Sequence, residues 1–213
     1  MLGMGFRWGC AVAAVALALM GQAQAQTQGS GPRSCGLATL QGEAFVERGG
    51  QRLTIAPGGV LTTNDKFITG ADARAEIRCN DGVRINVGAD SQLELATLVA
   101  GQQAKQSVVL RLLNGIVRVA LPSIRSWRRF EVQTPTAVAS VRATDWIVQA
   151  EKGGATAVFV VEGQVQTANR AGNQGAFLQA GEGIDFRADG EMAASIRWGE
   201  ARVKRTLAAV MPR

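Results

Sequence analysis

Histidine and tyrosine are absent from this 213-residue chain, aromatic residues make up only 5% of it, and proline occurs five times. Without histidine no Ser-His-Asp or Cys-His relay can be assembled, and H-E-x-x-H zinc hydrolysis is excluded. There is no G-x-S-x-G nucleophile elbow and no G-x-x-x-x-G-K-[ST] phosphate loop. Acid is the scarcer charge: 17 acidic residues face 23 basic ones, a formal net charge of +6. Such an excess favours an acidic surface such as anionic lipid or polysaccharide. The basic residues are scattered, however, apart from Arg125-Ser126-Trp127-Arg128-Arg129 and the stretch Arg202 to Arg205. Nucleic acid is not expected as a partner, because no recognisable binding module is present.

One apolar run stands out, Cys10 to Met20, preceded by Arg7 and followed by the small-residue pattern Ala23-Gln24-Ala25. A short positive start, a brief apolar stretch and an A-x-A site describe a secretory leader cleaved after Ala25. The run falls short of the ~20 residues that a membrane helix needs; an uncleaved anchor is the alternative. Cleavage leaves a periplasmic chain that does not span the membrane. Cys10 begins the run instead of ending it, so a lipid-modified cysteine is not expected. Cys35 and Cys79 then remain, and an even number in an oxidising compartment favours a disulfide. Closing that loop is worth about 3–5 kcal/mol in the chain-entropy description. Two separate buried thiols are the other possibility. Two isolated cysteines without histidine make a poor metal site. No cofactor is expected.

Beyond a polar lead over residues 26–36, short runs of β-branched and apolar residues alternate with Gly, Asp and Asn. Candidate strands are 43–47, 52–55, 66–69, 73–79, 83–87, 92–96, 108–113, 116–120, 129–133, 140–150, 155–161, 164–167, 177–179 and 183–186. Ala73, Ala75, Ile77 and Cys79 fall on one face and Arg74, Glu76 and Arg78 on the other, the period of a half-buried strand. Asn80-Asp81-Gly82, Leu113-Asn114-Gly115 and Val161-Glu162-Gly163 each place a glycine where a tight turn needs positive φ. A loose echo, glycine leading into a strand at Gly42, Gly115 and Gly163, fits an irregular β-solenoid or β-roll. A β-sandwich is the alternative. The expected fold is all-β over residues 37–198, with a partly helical tail at 199–213 in which Val203, Leu207 and Val210 share a stripe.

The order of these pieces resembles the FecR domain, a periplasmic module known from iron-transport signalling. Gly58 to Gly70, Ala75 to Val87 with its Asp81-Gly82 turn, Asp90 to Leu95, Asn114 to Val119 and Phe130 to Pro135 follow the family's sequence of segments. The most diagnostic piece is Val138 to Val148 (VASVRATDWIV), close to the family's Val-Arg-Gly-Thr-Asp and aromatic, and it singles out Arg142, Thr144 and Asp145. Val161 to Val165, with Gly163, and Ala180 to Glu182 complete the series. Ala143 stands where the family usually has glycine. The resemblance implies a binding or signalling module. Sigma regulators of this type carry a cytoplasmic helical segment and a membrane span before the domain. Here the domain follows the leader, so a stand-alone periplasmic protein is expected instead of a transmembrane anti-sigma factor.

Two functions compete. The first is a non-catalytic interaction, sensory or signalling module that contacts an envelope protein or glycan. Arg125, Trp127, Arg128 and Arg129 are its candidate recognition residues, since tryptophan and arginine are enriched at binding hot spots; covering the end of the core is the other use for Trp127. The second is an envelope hydrolase acting on polysaccharide or peptidoglycan through carboxylates. Its available acids, Asp65, Asp72, Asp81 and Asp90, all sit in turn-like contexts, where aspartate ordinarily shapes the backbone. They form no D-x-[DN]-x-[DN]-G calcium loop. For Arg142 a structural salt bridge or backbone contact is expected ahead of ligand recognition.

Overall fold

The computed structural model describes residues 34–99, 107–122, 129–141 and 144–211. The leader and most of the polar lead therefore lie outside the described residues, as do Arg125, Trp127, Arg128, Arg142 and Ala143.

Strands account for nearly all the regular structure. In chain order they are β1 (Cys35–Gln41), β2 (Ala44–Arg48), β3 (Gln51–Thr54), β4 (Val60–Leu61), β5 (Lys66–Thr69) and β6 (Arg74–Cys79). Next come β7 (Arg84–Val87), β8 (Gln92–Val99), β9 (Ser107–Ala120), β10 (Arg129–Gln133), β11 (Ala137–Val141) and β12 (Asp145–Ala150). The series closes with β13 (Thr156–Glu162), β14 (Gln164–Asn169), β15 (Gly175–Gln179), β16 (Glu182–Phe186), β17 (Ile196–Arg197) and the helix α1 (Glu200–Val210).

These strands pair as two ladders that share β9. Sheet A runs β4-β1-β6-β7-β9-β12-β13-β16-β17. Sheet B runs β3-β2-β5-β8-β9-β10-β11-β14-β15. Among the described residues every pairing is antiparallel except β9 with β10. The chain crosses from one layer to the other hairpin by hairpin: β10–β11 in sheet B, β12–β13 in sheet A, β14–β15 in B, β16–β17 in A. Among the described residues both ladders stay open.

Two expected strands, 108–113 and 116–120, are one continuous strand here. The first half of β9 pairs in sheet B and the second half in sheet A. Gly115 makes the change of layer possible. Its φ is 98°, and a Cβ there would sit 2.2 Å from Ser91 Oγ. Only glycine tolerates both conditions. Ser91 Oγ in turn accepts the Ile116 N–H at 3.0 Å and donates to the Gly88 carbonyl at 2.9 Å. The stretch 140–150, expected as one strand, is instead divided between β11 in sheet B and β12 in sheet A. Cys35 and Gly36, read as polar lead, begin β1; hydrogen bonding to β6 supplies the order that their own weak β-propensity does not.

Alternate side chains of both sheets fill one core. Ala75, Ile77, Ile85 and Val119 enter from sheet A, while Phe67, Leu93, Leu95 and Leu110 enter from sheet B. Phe130 of sheet B meets Trp146 of sheet A edge-on, with ring centroids 5.6 Å apart; such pairs add about 0.5–1.5 kcal/mol beyond burial. The inward set Ala73, Ala75, Ile77 and Cys79 is buried as the alternation requires, and Cys79 is bonded to Cys35.

The two outward faces differ. On sheet A, Ile116, Ile147 and Phe159 form a second apolar cluster with Trp198 and Val210, and Val203 and Leu207 of α1 pack on it. On sheet B, Arg52, Glu47, Lys66, Glu94 and Arg111 lie in register across five strands, alternating in sign. Lys66 reaches Glu47 and Arg111 reaches Glu94, each at 2.9 Å.

Candidate functional site

The described family-motif residues and the two cysteines singled out from the sequence gather at one end of the strands. Strand β6 ends at Cys79, the turn Asn80–Gly82 follows, and β7 leaves at Arg84. Arg84 pairs with Ala120 at the end of β9, and Ala120 pairs with Asp145 at the start of β12. Asp145 is opposite Glu162, which precedes the turn at Gly163. Thus Cys35, Cys79, Asp81, Gly82, Thr144, Asp145 and Gly163 come from distant parts of the sequence to one rim.

Each has a local reason for its place. Gly82 and Gly163 hold φ values of 88° and 86°, conformations closed to most side chains. The Gly82 N–H closes its turn on the Cys79 carbonyl at 3.0 Å, and Asp81 Oδ1 accepts the Val83 N–H at 3.3 Å. Thr144 is buried; its hydroxyl donates to the Gln164 carbonyl at 2.9 Å, and its own carbonyl accepts the Leu121 N–H at 3.1 Å. Cys35 and Cys79 are opposed in the β1–β6 register, so their bond ties the first strand to this rim. The segment carrying Arg125, Trp127 and Arg128 is outside the described residues. Its flanks are not: Pro122 lies beside Gly82, and Arg129 opens β10 next to the end of β11.

The strongest charge pair at the rim is one that sequence reading missed. Asp145 receives two hydrogen bonds from Arg118, Nε to Oδ1 at 2.8 Å and Nη2 to Oδ2 at 2.6 Å. Hydrogen bonding to Asp145, opposed by partial burial, raises the Arg118 guanidinium above its ordinary value. The available signal was a lone arginine between Val117 and Val119, a charge on the outward side of an otherwise apolar strand.

The acids considered for hydrolysis are engaged structurally. Asp65 is buried, and Arg48 grips it through Nε and Nη2 at 2.7 and 2.6 Å while the Thr62 N–H donates at 2.7 Å. Burial alone would raise the Asp65 carboxyl, but the hydrogen bonds from Arg48 and Thr62 and the arginine's charge outweigh it and hold the group below the ordinary carboxylate range. Asp90 is itself a turn residue, with φ of 49°. Asp72 lies in the turn before β6. Among the described residues no group of three or more metal-ligating side chains occurs.

Comparison with known proteins places this arrangement. Residues 65–166 match the family described as FecR protein. Two crystal structures, each of a putative anti-sigma factor from Parabacteroides distasonis ATCC 8503, share the fold. Their TM-scores are 0.55 and 0.56 at 16% and 17% sequence identity. The match covers 67% and 69% of this chain but only 63% and 65% of theirs, so it spans less than two thirds of either. At such identities the likeness is one of fold alone. No curated protein matches the chain.

Proposed function

Since this chain carries a FecR-family domain over residues 65–166, we propose that it is a non-catalytic interaction and signalling module, exported to the periplasm after cleavage at Ala25. The observation that carries this reading is the convergence at one rim. Family-motif residues from three separate connections, β6–β7, β11–β12 and β13–β14, meet there on a β scaffold, beside both flanks of the basic segment 123–128. Binding residues are commonly presented in this way, on loops positioned by a stable framework. Trp127 with Arg125, Arg128 and Arg129 then offers an aromatic anchor and cationic partners for an envelope protein or an acidic glycan. The anti-sigma description of the two fold neighbours agrees with a regulatory role. The bond between Cys35 and Cys79 agrees with an oxidising compartment. No helix among the described residues is long and apolar enough to cross a membrane.

The hydrolase reading loses support at Asp65. A general acid at neutral pH needs a raised pKa, and this carboxyl is held low by a guanidinium. Its oxygens are occupied by Arg48 and Thr62.

Affinity capture from envelope extract tests the rim. Exchange of Trp127 and Arg128 together for alanine is expected to abolish recovery of the partner, with the circular dichroism spectrum unchanged. Equal recovery by the double variant would remove the segment from the binding role. Turnover of cell-wall polysaccharide by the purified protein, lost on Asp65→Asn or Asp81→Asn with folding intact, would overturn the non-catalytic reading.

A further inference from the structure

At the strand ends away from the rim, the bend in β9 opens a notch in the outer face of sheet B. Gln133 is the last residue of β10 to pair with β9, opposite Arg111. Beyond that rung β9 runs on to Gly115 and leaves for sheet A, while β10 turns back through Thr134-Pro135-Thr136 into β11. The space between them measures about 180 Å³. Arg111 and Leu113 line it from β9, Gln133, Thr134 and Pro135 from the end of β10 and its turn, and Arg170 from just past β14.

The two arginines approach Gln133 from opposite sides, and neither is saturated. Arg111 donates Nη1 to Glu94 Oε1 at 2.9 Å, and Arg170 donates Nη1 to Gln133 Oε1 at 3.2 Å. A guanidinium has further N–H donors on Nε and Nη2, and for both arginines these have no partner among the described residues. Gln133 is itself fixed, because its amide nitrogen donates to Glu131 Oε2 at 3.1 Å. Arg170 is therefore held by a neutral carbonyl: its direction is set, while no acid among the described residues pairs with its charge. Of the neighbouring carboxylates, Glu94 is taken by Arg111 and Glu131 is buried. The facing wall is also preset. Thr134 Oγ1 accepts the Ala137 N–H at 2.9 Å and the Thr156 hydroxyl at 2.8 Å, and the ring of Pro135 fixes its own φ. Beside this cationic end lie two apolar groups, Leu113, which is 38% exposed, and the exposed Pro135.

We propose that the notch receives the C-terminus of a peptide or protein. The terminal carboxylate accepts from the unused N–H groups of Arg170 and Arg111, and a small apolar last side chain lies on Leu113 and Pro135. Planar guanidinium donors match the two oxygens of a carboxylate, and preset walls lower the ordering cost of binding. A free acid carried next to an apolar group is the chemistry that this combination selects. An acidic sugar would bring hydroxyls instead, and among the described residues no aromatic ring lines the notch to take its apolar face. The inference does not rest on the rim, which lies at the other ends of the strands.

N-acetyl-leucine is the smallest probe with both features. In a nuclear magnetic resonance titration of the isotope-labelled protein it is expected to shift the amide signals of Leu113, Gln133 and Arg170 saturably. A Kd of ~1–10 mM is expected, the range of a single weak anchor. N-acetyl-leucinamide, which lacks the charge, and acetate, which lacks the apolar group, are each expected to bind at least about tenfold more weakly. Arg170→Gln is expected to weaken N-acetyl-leucine by at least the same factor, with signals far from the notch unmoved. Arg84→Gln, at an exposed arginine of sheet A near the rim, leaves binding unchanged. Absence of a saturable shift with N-acetyl-leucine overturns the proposal. So does equal affinity for acetate or for the amide, or equal binding by the Arg170→Gln variant. Tighter binding of galacturonate would assign the notch to an acidic glycan and overturn the peptide reading.

Discussion

The outward faces of sheets A and B are built from the same kind of strand yet meet different surroundings. In sheet A, β12 and β13 bury three consecutive residues each, Trp146-Ile147-Val148 and Val158-Phe159-Val160. Their odd members need a cover, and α1 with Trp198 supplies it. In sheet B, β8 buries Leu93 and Leu95 but turns Glu94 outward into a ladder of alternating charges. The lesson is that inward alternation makes the core, while the outward positions decide whether a further layer is added. On β12 and β13 continuous apolar runs meet such a layer, while the cross-strand charges of β3, β2, β5 and β8 do without it.

The comparison is broken most severely at Trp198. Its ring stacks on Phe159 with centroids 4.8 Å apart, and Arg202 lies 3.5 Å from its own ring centre. Trp198→Ala removes the centre of the covering layer and is expected to cost about 3–5 kcal/mol, as for other buried aromatics cut to alanine. A drop in the urea midpoint, with increased binding of a hydrophobic dye as the sheet A face is uncovered, checks it. A smaller effect is expected on the sheet B side at Asp65→Asn, on the order of 2 kcal/mol, the scale of a hydrogen bond to a charged group. The pH dependence has a defined sign. The folded carboxyl is held below its unfolded value of about 3.9, so its contribution is present above that pH and fades as pH falls through the lower folded value. Acid titration of stability should therefore be shallower in Asp65→Asn than in the wild type; equal slopes would remove Asp65 from the acid response. Smallest of all is Glu94→Ala within the charge ladder, expected to cost no more than about 1 kcal/mol because the pair is solvent-exposed. A loss as large as that of Trp198→Ala would show that the ladder, and not the core beneath it, holds sheet B together.

Much of this was legible in the residues. Period-two burial in β6, the turn glycines at Gly82 and Gly163, and the apolar stripe of α1 follow from local chemistry, because each depends on neighbours within a few positions. The layer in which a strand lies is not local. The segments 108–113 and 116–120 read as separate strands because Asn114-Gly115 resembles a hairpin turn. Ser91, more than twenty residues earlier, makes that glycine a bend within one strand. Likewise folding alone sets Arg118 beside Asp145 and Arg48 beside Asp65.

Residue types and their local order are enough to specify an all-β chain cornered by glycine and lacking the imidazole groups of common catalytic relays. Those properties depend on residue type and short-range spacing. The three-dimensional fold settled which turns share a rim, which carboxylates are held by arginine, which face α1 covers and that Cys35 is bonded to Cys79. Each of these depends on long-range pairing, where the free energy lies in contacts between residues that the linear pattern keeps apart.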